Sequence, residues 1–257
     1  MLNLVEMGRT GSAPLFPDAR AHREFMERAC ALGQRWRVKP LAFRMESHRA
    51  LLIVSPPEQG LGVWCRLLES GFGVWSLNHY GASVEWTPLS RLPLPDLATA
   101  KSFVHALHEE PGRDPLLQEW SSLWDAIGLR VCPWFDPTWL RQNFSAPELL
   151  LGCKGRSDPA LFDDRELHWA PLNMARAAVA AASGQEPDRR ANRVLLFQVA
   201  HRCGWTIEAL ADAFEVRTPA VRKALRLAPR PEYAAALAHL RVPRLRARLT
   251  TRALTER

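Results

Sequence analysis

The stretch Met45 to Val54, M-E-S-H-R-A-L-L-I-V, decides how the N-terminal half of this chain is read. Leu51 to Val54 is a short apolar, partly β-branched run, the composition of a buried strand. It is stopped by Ser55-Pro56-Pro57. His48 stands at its start, and Arg49 and Ala50 follow. Side chains of a strand alternate between faces, so residues 48 and 50 share one. Two imidazoles at that spacing can hold one metal ion. Ala50 has no ligand atom, so the stretch is either a metal site that has lost a ligand or simply the start of a strand.

Working outward, Leu2 to Met7 is a strand candidate, and Pro17-Asp18 opens a helix. Ala19, His22, Phe25, Met26, Ala29, Cys30 and Leu32 recur at helical spacing, and Gly33 is expected to end it. Trp36 to Met45 reads as a strand whose Pro40 marks an edge or a bulge. Strand, helix, strand, strand with tight links opens an α+β domain with an antiparallel sheet. Leu61 to Leu77 is the next helix. Gly71 and Gly73 weaken it by about 1 kcal/mol each and point to a kink or a close backbone contact. Tyr80 to Pro95 reads as turn-rich. Leu97 to Glu109 and Leu116 to Ile127 read as helices, Pro133 to Phe144 as loop and short helix, and Ala146 to Gly152 as a short helix. Residues 153–165 have linker character. The expected organisation is an α+β domain over 1–150, a linker over 151–170, and an all-helical domain over 171–257.

The 257 residues carry a net +7, and the charge is concentrated at the C-terminal end. From Arg217 onward eleven basic residues face two glutamates, a net +9, which leaves residues 1–216 at −2. A local basic run of this kind points to nucleic acid, with a solvated helical face as the plainer reading. The five cysteines are odd in number and scattered without C-x-x-C, as in a cytoplasmic protein with reduced thiols. No apolar run reaches the roughly 18–20 residues that cross a membrane, and the N-terminus has no export pattern.

Within the basic end, Thr206 to Arg226 reads T-I-E-A-L-A-D-A-F-E-V-R-T-P-A-V-R-K-A-L-R. Thr206 is a candidate cap for a first helix, with Glu208 in its first turn. Glu215-Val216-Arg217 is the turn. Thr218 is a candidate cap for a second helix with Pro219 at its first position. Arg217, Arg222, Lys223 and Arg226 are left facing outward. Two short helices, the second capped and basic, match a helix-turn-helix that places a recognition helix in the major groove. A plain helical hairpin is the alternative. Arg244, Arg246 and Arg248 would add phosphate contacts. Six such contacts would give log affinity a slope near −5 against log salt.

Five segments in order resemble the REP-associated tyrosine transposases of the HUH endonuclease superfamily. P-L-F-P-D-A-R-A-H-R-E-F-M-E-R (Pro14 to Arg28) resembles their first helix, and M-E-S-H-R-A-L-L-I-V their M-P-N-H-x-H-L-L strand. Gly81 to Arg91 resembles G-x-L-W-x-G-R, Phe103 to Asp114 resembles Y-I-H-x-N-P-V-R-A, and Glu119 to Gly128 resembles P-W-S-S-Y. The C-terminal helix-turn-helix is similar to what long members carry. The resemblance implies a ferredoxin-like antiparallel sheet, DNA as substrate, and strand cleavage through a phosphotyrosine link. In active members the histidine pair holds the metal, Mg²⁺ or Mn²⁺, and a helix-borne tyrosine attacks.

This chain departs from the family at both places. The second histidine falls on Ala50, and the tyrosine on Phe72, with Trp75 as the next aromatic. Three functions follow as expectations. The first is a DNA-binding protein without cleavage chemistry, in which His48 is a remnant of the metal position and Arg49 contacts DNA. It would grip hairpin or single-stranded DNA with the sheet domain and duplex DNA with the C-terminal helices, with a homodimer left open. The second is an active single-strand nuclease with a rearranged site that uses Tyr80, His48 and Glu46. The third is a protein-interaction module with a basic tail, for which loss of residues 217–257 would leave DNA binding intact. His105 and His108, at i and i+3 on a helix, are read as surface histidines, and most tryptophans as core.

Overall fold

The computed structural model describes residues 1–55, 60–109, 114–152, 167, 169–187 and 189–255, with 151–152 and 250–255 by backbone alone. The chain divides into two compact units, Met1–Ala126 with Pro133–Gly155, and Ile127–Cys132 with Arg156–Arg257.

The first unit runs β1 (Leu2–Gly8), α1 (Ala19–Trp36), β2 (Lys39–Met45), β3 (Arg49–Ser55), α2 (Leu61–Tyr80), β4 (Ser90–Leu94) and α3 (Leu97–His108). The strands form one antiparallel sheet in the order β2-β3-β1-β4. Register places Ala50 beside Met7 on one side and Met45 on the other. Leu52 stands likewise between Val5 and Phe43. These residues share a face, and all are buried. The long helices α1 and α2 pack on each other. The Trp64 indole of α2 donates to the Ala29 carbonyl of α1 at 2.9 Å, and Phe25 and Phe72 meet edge to face at 5.3 Å.

Pro40 lies on the edge strand β2, at a shift of register between Pro40 and Ala42. An edge strand leaves backbone donors unpaired and needs cover. Here residues 120–122 supply it: Phe43 N–H donates to Ser122 Oγ (2.9 Å), Met45 N–H donates to the Trp120 carbonyl (2.8 Å), and Arg44 bridges to Ser121. The helix expected over Leu116 to Ile127 is therefore broken. A single 3-10 turn, Pro115–Leu117, precedes the edge cover, and α4 spans only Ser122–Ala126. After it come α5 (Thr138–Asn143) and α6 (Ala146–Gly152).

Three further expectations are corrected. Gly33 does not end α1, which continues to Trp36 and closes with Arg37 in the left-handed region (φ 56°). A Cβ on Gly33 would lie 2.3 Å from the Val38 carbonyl oxygen, so this glycine serves the return of the chain into β2. The helix α2 runs unbroken through Gly71 and Gly73, and Gly71 lies against the Arg28 side chain of α1. The stretch after Tyr80 holds a strand, β4, that pairs with β1 from Leu2↔Leu94 to Glu6↔Ser90. Its S-R-L-P-L sequence carries an exposed proline that only an edge tolerates.

The second unit holds α7 (Leu172–Ser183), α8 (Arg193–Arg202), α9 (Ile207–Ala213), α10 (Thr218–Leu225), α11 (Pro231–Arg241) and α12 (Pro243–Thr255). A 3-10 turn, Arg190–Asn192, leads into α8. Alanines of α7 and α11 pack together with Leu195, Val199, Leu210, Val221 and Leu240 in one core. Residues 127–132 belong to this unit: Val131 N–H donates to the Ala182 carbonyl, and buried His239 contacts the Leu129 carbonyl at 2.9 Å. The basic end is thus built of three helices, α10, α11 and α12, each with residues in the core, and is not a tail. At the two ends of the expected linker over 151–170, α6 runs to Gly152 and Ala170 is fully buried. Residues 153–165, given linker character, lie outside the described residues. Among the described residues no helix is long and apolar enough to cross a membrane.

Candidate nucleic-acid interface

The second unit presents a basic helix pair. Thr206 caps α9 as expected, its Oγ1 accepting from Ala209 N–H at 3.1 Å, with Glu208 in the first turn. The turn to α10 carries Glu215 at φ 50°, a left-handed conformation that costs a non-glycine residue roughly 1 kcal/mol or more. Thr218 does not cap α10. The helix begins on it, Arg217 precedes it in extended conformation, and no side chain accepts from the first turn. Pro219 has no N–H to leave unsatisfied there.

Val221 and Ala224 turn α10 into the core, with Leu225 packed against its edge. Arg217, Arg222, Lys223 and Arg226 are exposed, and Thr218 is half-buried. Among the described residues only Arg222 of these four approaches a carboxylate, Glu208 at 4.0 Å, and both side chains are open to water, so the pair screens little of the charge. The arginines of α12 are placed differently. Arg244, Arg246 and Arg248 are half-buried and already partnered. The Arg246 guanidinium donates to the Trp169 carbonyl at 2.9 Å. Of the two basic helices, α10 is therefore the one that presents exposed cations.

In the first unit the expected site residues are not assembled for metal chemistry. His48 is exposed in the β2–β3 turn, one residue before the strand, and its carbonyl accepts from Arg9 N–H at 3.0 Å. Ala50 is completely buried between the two methionines. An imidazole there would meet thioether and alkyl groups, not a ligand or water. Among the described residues no three His, Cys, Asp or Glu side chains are grouped to hold a metal ion. The residues present do not fit the paired-histidine metal site.

Phe72, at the nucleophile position, is wholly buried among Phe16, Phe25 and Trp75. Tyr80 ends α2, and its hydroxyl donates to Asp18 Oδ1 at 2.9 Å. Asp18 is also the cap of α1, accepting from Ala21 N–H. Burial first, and then this carboxylate, push the phenol up to about 12. That is the wrong direction for a nucleophile, which needs its phenolate. Beside it, His79 stacks on Trp75 at 4.4 Å and its Nε2 faces an Arg20 guanidinium nitrogen at 3.1 Å.

Arg49 stands in a chain of alternating charge. Its guanidinium donates to Glu46 at 2.7 Å and to Glu6 at 3.2 Å, while Glu46 also pairs with Arg44 at 2.9 Å. The hydrogen bond it donates to Glu46 holds the Arg49 charge firmly on. Two cations and two anions leave this side of the sheet without the positive excess that α10 has. The groove beside it, about 960 Å³, is lined by Arg44, Glu46, Arg49, Glu109, Glu119 and Trp120, also of mixed sign.

The α3 histidines differ from the expectation of two surface groups. His108 is fully buried, 3.3 Å from Ser122 Oγ. His105 lies edge-on to Phe144. Of the tryptophans, Trp64, Trp75 and Trp124 are core, whereas Trp169 is 61 % exposed. Nothing in the spacing around Trp169 marks it, and only the fold separates it from the others. The thiols of Cys30, Cys65 and Cys203 are raised by burial, to between about 11 and about 12, as inert core cysteines are. Comparison with protein-family models, curated proteins and solved structures finds no match for this chain.

Proposed function

We propose that this chain is a DNA-binding protein in which α9, the turn at Glu215 and α10 act as a helix-turn-helix on duplex DNA. The observation that carries this reading is the exposed quartet Arg217, Arg222, Lys223 and Arg226 on a helix whose opposite face, Val221 and Ala224, is anchored in the core. Such a helix holds its cations rigidly outward, where phosphates and guanine edges are reached.

The first unit is read as a ferredoxin-like scaffold of the HUH type that no longer cleaves. Its strand-helix-strand-strand-helix-strand order and the sheet order β2-β3-β1-β4 support the scaffold. Buried Ala50 and Phe72, where the resembling transposases carry ligand and nucleophile, support the loss of chemistry. The resemblance further suggests hairpin or single-stranded DNA as what this scaffold retains.

The test is fluorescence anisotropy of a labelled duplex over a salt series with the full chain. Four phosphate contacts give log affinity a slope of about −3.6 against log salt. This is shallower than six contacts would give, because the α12 arginines are already engaged. Replacing Arg222 and Lys223 with alanine is expected to flatten the slope by about 2. Binding that ignores salt, or a slope that the double variant does not change, would sink the proposal. Deleting residues 217–257 is no test of it, because Val221, Ala235 and Leu240 would leave the core.

A further inference from the structure

The ring of Trp169 is open to water, yet it is held in place. One side of it lies against Trp205, with ring centroids 6.4 Å apart and planes within 19°. Its edge lies against Gly204, where a Cβ would stand 3.2 Å from Trp169 Cδ1. That glycine has φ +96°, so both the backbone and the space require it. Trp205 is fixed in turn, its indole N–H donating to the Ala170 carbonyl at 2.9 Å and its own carbonyl meeting His201 Nδ1 at 2.9 Å.

Two arginines lie near this pair of rings. The Arg246 guanidinium donates to the Trp169 carbonyl at 2.9 Å. Arg202 is exposed on the last turn of α8, immediately before Cys203-Gly204-Trp205. Both guanidinium groups act on the buried Cys203 thiol. An exposed, backed indole is a poor surface to leave in water, since a side chain of this size normally contributes its area to a core. An exposed indole backed by a second ring, with arginines nearby, suits a flat aromatic ring carried on a polyanion. That is the physics of base stacking in single-strand recognition.

We propose that Trp169 is a stacking platform for an unpaired base of DNA, with Trp205 behind it and exposed Arg202 holding the adjoining backbone. This rests on the DNA-binding reading and adds what that reading lacks, a place for a single-stranded end or extruded base beside the duplex gripped by α10.

The full-length chain is titrated with a blunt duplex and with the same duplex bearing a short single-stranded overhang that contains 2-aminopurine. Wild type is expected to bind the overhang form about tenfold more tightly than the blunt one and to quench the 2-aminopurine. Trp169→Ala is expected to abolish the advantage and the quenching while blunt-duplex affinity stays unchanged. Trp169→Phe is expected to keep most of both, which separates stacking from simple damage. Blunt-duplex binding with no difference between wild type and Trp169→Ala on the overhang overturns this proposal alone. Binding to neither DNA overturns the DNA reading and this proposal with it.

Discussion

Acid should unfold the sheet unit through one side chain, His108. Its ring is fully buried, Nε2 lies 3.3 Å from Ser122 Oγ, and Nδ1 has no partner among the described residues. Burial first, then the Arg44 guanidinium and His105, push its pKa down to about 3. In the unfolded chain a histidine titrates near 6.5. As pH falls below that value the unfolded chain takes up the proton and the folded one does not. Stability is therefore complete above about pH 6.5 and drains away as pH falls toward about 3, at up to ~1.4 kcal/mol per pH unit.

Between about pH 7 and about pH 5 this amounts to roughly 2 kcal/mol. Asp136 lies outside that window, held down to about 2 by Lys39 and Thr138, and the comparison with His108→Gln separates His108 from the other groups that titrate. Urea unfolding at the two pH values, followed by tryptophan fluorescence, should show the midpoint of the sheet unit falling by about 1 M, taking a slope near 2 kcal/mol per molar. His108→Gln retains a partner for Ser122 and cannot ionise, so its midpoint should be nearly independent of pH across the window. If wild type is equally flat, or His108→Gln keeps the full slope, the buried neutral histidine is refuted. The perturbation also has a defined site, because the Ser122 hydroxyl that His108 meets is the one that covers Phe43 N–H on the edge strand.

Other substitutions probe the remaining arguments. Ala50→His, which restores the paired histidine, should cost about 3 kcal/mol in thermal or urea unfolding, and calorimetry should detect no Mn²⁺ binding; a stable variant with micromolar metal affinity would contradict the packing between Met7 and Met45. Tyr80→Phe should lose about 1 kcal/mol, the hydrogen bond to Asp18 at the cap of α1, and should leave DNA affinity unchanged in anisotropy titrations. Gly33→Ala should destabilise by about 3 kcal/mol, because its Cβ would stand 2.3 Å from the Val38 carbonyl. Gly71→Ala meets only the end of the flexible Arg28 side chain and should gain up to about 1 kcal/mol of helix propensity; equal effects at the two glycines in thermal melts would defeat the distinction.

The elements legible in the sequence were those whose signal is local. Asp18 before α1, Thr206 before α9 and Pro40 on an edge each act within a few residues, and each holds its expected place. What the sequence concealed depends on partners distant in the chain. The helix expected over 116–127 has adequate apolar spacing, but its backbone is drawn off at residues 120–122 to cover β2, some 80 residues earlier. The strand β4 has no alternating pattern because it is an edge, with Ser90 to Pro93 exposed. The arginine-rich end read as a tail because its charge dominates its composition. Yet alanines and leucines at helical spacing between those charges bury α11 against α7.

The same division explains the site. Charge on α10 could be read directly, since an exposed cation needs no partner to define it. Arg49 could not, because Glu6 lies 43 residues away and cancels what the local R-A-L-L suggests. Ala50 and Phe72 could each have been a single lost residue beside a cavity still shaped for ligand and nucleophile. Instead both positions are filled with close-packed apolar side chains, Met7 and Met45 around one, Phe16, Phe25 and Trp75 around the other. Reverting either residue alone would bury a polar group in that packing, at a cost of about 1–3 kcal/mol without hydrogen-bond partners. On the proposed transposase-like reading, cleavage would thus require repacking around both positions at once. On the proposed reading the change is built into the core of the sheet unit, and the exposed cations of α10 are the surface offered to DNA.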